Sequence, residues 1–176
     1  MTTLNRPAAA HQPAAVQVLT LLEGRRQTLA TAESLTGGLV GALLTSVPGA
    51  SAAYVGGVIT YATRLKATLA GVDPHTLEEL GPVAALTAEQ MALGVATRCG
   101  ADWGLSATGV AGPEMQDGHP VGQVFVGLAQ PASGYRRVEE LALSGTRREV
   151  RDAAAERALG LLAEVLGMNP DAAGVE

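Results

Sequence analysis

Lysine is almost missing from this chain of 176 residues: eleven arginines carry its positive charge, beside the single lysine Lys66. Arginine keeps its proton in any protein environment, whereas a buried ammonium can shift towards neutrality and act as a general base. Lys66 is therefore either a solvated surface cation or a lysine kept because arginine would not serve, and its neighbours have to decide. Cysteine is as scarce. Cys99 alone excludes an intrachain disulfide, and the opening MTTLNRPAAAHQPAA lacks the apolar core of a signal peptide, so a cytoplasmic protein is expected. No apolar run reaches the ~18–20 residues that span a bilayer, so no membrane partner is expected. His11, His75 and His119 are scattered and offer no zinc-type spacing. No metal or cofactor follows from this pattern, with an Asp/Glu magnesium site the one alternative left open. Basic clusters are short and the net charge is -5, which argues against nucleic acid as a partner.

What is abundant is apolar. Hydrophobic residues make up 47% of the chain and charged residues 16%, enough for one well-buried core and for a face pressed against a second copy, so a homo-oligomer is expected. Residues 1–12 and 168–176 are rich in alanine, proline, glycine and polar residues and read as loose tails around a single domain, 13–167. Val16, Leu19 and Leu22 follow helical spacing up to Gly24. Thr28 to Ala32 is a short strand, followed by AESLTGG and the helical stretch LVGALLTSV. Tyr54 to Tyr61 reads as a second strand and ATRLKATLAG as a short helix carrying Lys66. Thr87 to Gln90 fits a capping box opening a helix to about Cys99, with Gly100 as its stop. Trp103 to Ala107 is the third strand and Gly109 to Pro120 a loop. Val121 to Ala129 and Tyr135 to Leu143 are two strands around a turn. A second capping box, Thr146 to Glu149, opens a long amphipathic helix. This alternation predicts an α/β fold, a three-layer α/β/α sandwich with a mixed, mostly parallel sheet of about five strands.

In open α/β sheets ligands bind beyond the carboxyl ends of the strands. Three polar groups converge there: Ser34 and Thr36 after the first strand, Tyr61 and Lys66 after the second, Thr108 after the third. Each alone has a plainer reading as a helix cap, a strand-end tyrosine or a turn threonine. Together they fit an exposed serine nucleophile, Ser34, with neutral Lys66 as its base. Amides around Thr36, Gly37 and Gly38 open a helix, and free N–H groups there would suit an oxyanion or a phosphate equally. Arg147, Arg148 and Arg151 occupy the first turns of the last helix, where the helix dipole disfavours cations. Arg148 has Asp152 four residues on. Arg147 and Arg151 have no partner at helical spacing, so an anionic ligand or acidic residues of a neighbouring subunit are equally good accounts.

The segments AESLTGG (32–38), VITYATRLK (58–66), ATGVAGP (107–113), PVG (120–122) and SGTRREVR (144–151), in this order, resemble the CinA C-terminal family, whose members include stand-alone nicotinamide-nucleotide amidases. The resemblance covers roughly residues 13–166. It implies hydrolysis of the carboxamide of nicotinamide mononucleotide to nicotinic acid mononucleotide and ammonia, in pyridine-nucleotide recycling. The family's catalytic serine falls on Ser34, its tyrosine and lysine on Tyr61 and Lys66, and its hydroxyl residue before the glycine-rich loop on Thr108. Thr36, Gly37, Gly38 and Gly109 join Arg147 and Arg151 as substrate-binding positions, one of the arginines gripping the phosphate.

The chain departs from the family pattern at several points. Leu35 stands where cysteine is common, Ala62-Thr63 where Ser-Asn is common, and Gly145-Thr146-Arg147 where Gly-Asp-Arg is common, while the loop 114–119 is shortened. None of these removes the nucleophile or the base. They do favour an alternative, a catalytically silent nucleotide-binding or interaction domain; a serine-lysine hydrolase acting on another amide is a third reading. The chain begins almost at the amidase portion, so the activity of the larger domain that precedes it in full-length members, nucleotide-sugar pyrophosphate cleavage among them, is not expected.

Overall fold

The computed structural model describes residues 13–168, and the two tails at 1–12 and 169–176 lie outside the described residues. The elements run α1 (Pro13–Gly24), β1 (Leu29–Glu33), α2 (Leu39–Thr45), β2 (Tyr54–Ile59), α3 (Thr63–Ala70), α4 (Pro74–Leu80), α5 (Ala85–Cys99), β3 (Trp103–Gly109), β4 (Gln123–Gln130), β5 (Tyr135–Ala142) and α6 (Arg147–Met168). The five strands form one sheet in the order β2-β1-β3-β4-β5. β1 lies parallel to both β2 and β3, whereas β3, β4 and β5 pair antiparallel. The sandwich read from the sequence is therefore present, with the parallel block holding the three strand ends where the polar residues gather.

Strand alternation divides the core. Leu29, Leu105 and Val126 point to the side covered by α1, α2 and α6, where Leu22, Leu44 and Leu162 complete the larger cluster. Ala30 and Ala32 face the opposite side with Met91 and Val95 of α5. That second layer lies close to the sheet because glycine replaces larger residues at the contact: a Cβ on Gly104 or Gly127 would run into the backbone carbonyls of Ala92 and Ala88 on α5.

Several boundaries differ from the sequence reading. β2 stops at Ile59, before Tyr61, and β3 continues through Gly109, which closes the strand instead of opening the loop. α6 extends through Met168, one residue into the stretch read as a tail. Thr87 and Gln90 do not cap α5, which begins at Ala85 with Ala84 at its N-cap. They are spent on tertiary bonds: the Thr87 hydroxyl donates to Gly81 O at 2.8 Å, while Gln90 accepts the Asp73 N–H at 2.9 Å and donates to Thr76 Oγ1 at 3.0 Å. Those bonds seat α4, a helix missing from the sequence reading although Asp73 caps it and Pro74 supplies its first turn. The box at Thr146 does form, its N–H donating to the Glu149 carboxylate at 2.7 Å. No described helix is long and apolar enough to cross a membrane.

Candidate active site

The chain leaves β1 through a turn that two neighbouring strands hold. Ser34 donates its N–H to Ala107 O on β3 at 2.9 Å, and Thr60, just past β2, donates its N–H to Glu33 O at 2.7 Å. The serine and Lys66 are thereby brought together from positions 32 residues apart: Lys66 Nζ donates to Ser34 Oγ at 2.9 Å and to Thr60 O at 2.9 Å. Lys66 is only 1% exposed, which decides between its two sequence readings against the surface cation. Among the described residues no carboxylate bonds to it to balance its charge, and desolvation by burial lowers its pKa to about 8. Once the amine has lost a proton, Thr60 O still takes one N–H and the lone pair is left for the Ser34 hydroxyl.

Ser34 and Lys66 line a cleft of about 150 Å³ together with Tyr61, Thr108, Gly109 and Arg147. Thr108 is buried and donates its hydroxyl to Pro82 O at 2.7 Å, which leaves its oxygen able to accept. Tyr61 is 61% exposed, and its hydroxyl is reached by Arg147 Nη2 at 3.0 Å, so these two residues form the outer wall of the cleft. Arg147 also donates to Gly112 O. Glu114 and Gln116, from the loop that departs from the family pattern, add polar groups to the same wall.

The remaining expected positions serve differently. Gly37 and Gly38 do not present free amides: the Gly37 N–H donates to Ser34 O at 3.0 Å and the Gly38 N–H to the Glu33 carboxylate at 2.9 Å. The expectation of free glycine amides is corrected there, because Ser34 O and the Glu33 carboxylate already take them. That buried carboxylate also accepts from Val40 N at 3.1 Å and Gly41 N at 2.9 Å, satisfying the start of α2 from inside and giving an external anion little to bind. Arg147 and Arg151 have their partners outside helical spacing, within the chain itself. Arg151 donates Nε to Leu35 O and Nη2 to Thr36 O, each at 2.8 Å, so backbone carbonyls offset its charge at the start of α6. Thr36 is fully buried, with a hydroxyl that has no partner among the described residues. Within the turn, the N–H groups of Leu35 and Thr36 likewise make no bond to the described chain.

Glu33 had one signal in the sequence: an acid at the end of a strand of leucine, alanine and threonine, directly before a glycine-rich helix start, needs donors to be buried. Thr60, which acts through its carbonyl, had none. Glu33→Ala is expected to destabilise the fold by about 3 kcal/mol, since three amides lose their acceptor at once, while Glu33→Gln keeps one acceptor oxygen and loses less. Urea denaturation of the two variants checks the order.

The profile of the CinA C-terminal domain family matches residues 11–166. A CinA-like protein of Frankia casuarinae is 47% identical over 154 residues, covering 88% of this chain and 35% of that protein. One of Thermosynechococcus vestitus is 48% identical over 156 residues, covering 87% and 37%. The chain thus spans about a third of the length of the curated relatives it matches. Among solved structures, the competence/damage inducible protein CihA of Agrobacterium tumefaciens superposes with a TM-score of 0.83 at 33% identity, covering 89% of this chain and 94% of that one. A CinA superfamily protein of Enterobacter cloacae gives 0.84 at 26% identity, covering 94% and 98%.

Proposed function

The chain belongs to the CinA C-terminal domain family, and from that membership together with the buried Ser34–Lys66 pair we propose that it is an amidohydrolase converting nicotinamide mononucleotide to nicotinic acid mononucleotide and ammonia. The observation that carries the reading is the 2.9 Å contact between a serine hydroxyl and a lysine held near pKa 8 at the end of adjacent parallel strands. Neutral Lys66 takes the Ser34 proton as Oγ bonds to the carboxamide carbon, and the carbonyl π electrons move onto oxygen. The Leu35 N–H, on the cleft wall, replaces the glycine amides as donor to that oxyanion. The lysine proton passes to the departing nitrogen, the C–N bond breaks and ammonia leaves. Water, deprotonated by the same lysine, then hydrolyses the Ser34 ester to the free acid. Thr108 and Tyr61 position the dyad or the ligand. Arg147 faces the cleft and is the better of the two arginines for the phosphate. The reaction needs no metal or redox cofactor and is placed in the cytoplasm. Self-association belongs to the same proposal, with the exposed Val55 and Ile59 of the sheet-edge strand β2 as the apolar face available for it.

Glu114 on the cleft wall favours a second reading, a domain that binds a nucleotide or partner without turnover, because its carboxylate opposes an incoming phosphate. Incubation of the purified protein with nicotinamide mononucleotide separates the two. Equal release of ammonia and nicotinic acid mononucleotide is expected; binding without either product would establish the silent domain, and turnover of another amide in a substrate panel would move the specificity.

A further inference from the structure

We infer that Arg151 is a positioning residue for the oxyanion step and not a ligand of the substrate phosphate, an inference that rests on the amidase reading above. The guanidinium approaches the nucleophile turn from α6 and binds two successive carbonyls, Leu35 O and Thr36 O, with separate nitrogens at 2.8 Å. Across a planar trans peptide the C=O and N–H point in opposite directions. Holding Leu35 O therefore holds the Thr36 N–H away from the arginine, and holding Thr36 O directs the Gly37 N–H the other way, where it meets Ser34 O at 3.0 Å. Two peptide planes next to the nucleophile are fixed by one side chain.

Three further observations agree. Arg151 lines a separate pocket with Arg147, Arg148 and Asp152, and of the two arginines only Arg147 also lines the cleft of Ser34 and Lys66. A Cβ on Gly37 would come within 3.3 Å of Arg151 Nη2, and Gly37 has φ +60°, so the glycine both makes the turn and leaves the arginine its seat. Glu33 for its part takes the N–H groups of Gly38, Val40 and Gly41. The turn is thus gripped by a carboxylate through its later amides and by a guanidinium through its earlier carbonyls, and the amides of Leu35 and Thr36 are left over.

The test compares Arg151→Met with Arg147→Met, using two readouts. The first is the rate at which a phosphonofluoridate labels Ser34: the Ser34 oxygen bonds to phosphorus, fluoride leaves, and the serine proton goes to Lys66. The second is the kcat and KM for nicotinamide mononucleotide and for the riboside that lacks its phosphate. Loss of one oxyanion donor typically slows acyl transfer about 10²–10³-fold, so a misplaced donor is expected to slow it about 10–100-fold. Arg151→Met should show that loss in labelling and in kcat for both substrates alike, with KM and the pH midpoint of the rate unchanged. Arg147→Met should raise KM for the mononucleotide alone. A rise in mononucleotide KM for Arg151→Met with the riboside unaffected would make it a phosphate ligand, and unaltered labelling and kcat, or a displaced pH midpoint, would equally overturn the inference. If the methionine variant does not fold, Arg151→Lys, which keeps one donor towards the turn, carries the same comparison. Wild type that is labelled but releases no ammonia refutes the substrate while leaving the labelling comparison decisive; wild type that is never labelled refutes both proposals.

Discussion

Lys66→Met is expected to end turnover and, at neutral pH, to make the protein more stable. Among the described residues Lys66 heads the fully buried side chains by volume, and burial lowers its pKa from 10.5 to about 8. A shift of this size corresponds to about 3 kcal/mol of disfavour for the charged form. Methionine has a similar reach and no charge to desolvate. It gives up the hydrogen bonds to Ser34 and Thr60 O, each worth about 1 kcal/mol net, so a gain of about 1 kcal/mol is left. Function and stability conflict at this one residue, as is usual for ionisable groups buried for chemistry.

The pH dependence fixes the sign. Between about pH 8 and the ordinary lysine value of 10.5, the unfolded chain binds the proton and the folded one does not, so wild-type stability rises with pH across that window. Below it the full penalty applies; above it the penalty is gone. The advantage of Lys66→Met should therefore be largest near pH 7 and fade as the pH approaches 10.5, which urea denaturation across that range measures. Activity obeys the same equilibrium from the other side. Neutral lysine is the reactive form, so kcat/KM for wild type should climb about tenfold per pH unit up to roughly 8 and then level off. A rate that is flat from pH 6 to 9 would exclude neutral Lys66 as the base, and a loss of stability in Lys66→Met at pH 7 would mean that the cation is better solvated than its burial indicates.

The sequence carried the fold almost in full because its signals were of two strong kinds, apolar periodicity and punctuation by glycine and proline. The helix α4 was lost because Pro74 and a run of polar residues hide its apolar positions, although Asp73-Pro74 is a legible cap. The capping box at Thr146 and the one at Thr87 look alike in the sequence, and tertiary bonds to Gly81 and Asp73 distinguish them. At the site, the placement of Ser34 and Lys66 followed from the rule that parallel strands present their carboxyl ends together. What the rule does not supply is which backbone groups are already taken. Glu33 takes amides only five to eight residues along the chain, a local contact that its place before the glycine-rich turn makes legible, whereas Arg151 takes carbonyls from across the fold and has no spacing in the chain from which that can be read.

Ser34→Ala should abolish product formation, with a loss of at least about 10⁴-fold, and adding Lys66→Met to it should cost nothing further. A nucleophile and the base 2.9 Å from it act as one unit, so removing either stops the same step. If each residue contributed independently, the losses would multiply; if they form one dyad, the double variant falls no lower than the worse single one. Ser34→Ala preserves the binding surface, because Arg147, Tyr61 and Thr108 are untouched, so its affinity for the mononucleotide should stay within a few-fold of wild type by calorimetry. Full activity in Ser34→Ala would force a different nucleophile, such as water activated directly by Lys66. In that case the ester intermediate disappears, and Lys66→Met alone would retain its effect in the Ser34→Ala background. The double variant thus distinguishes covalent from direct hydrolysis by whether its two losses coincide or separate.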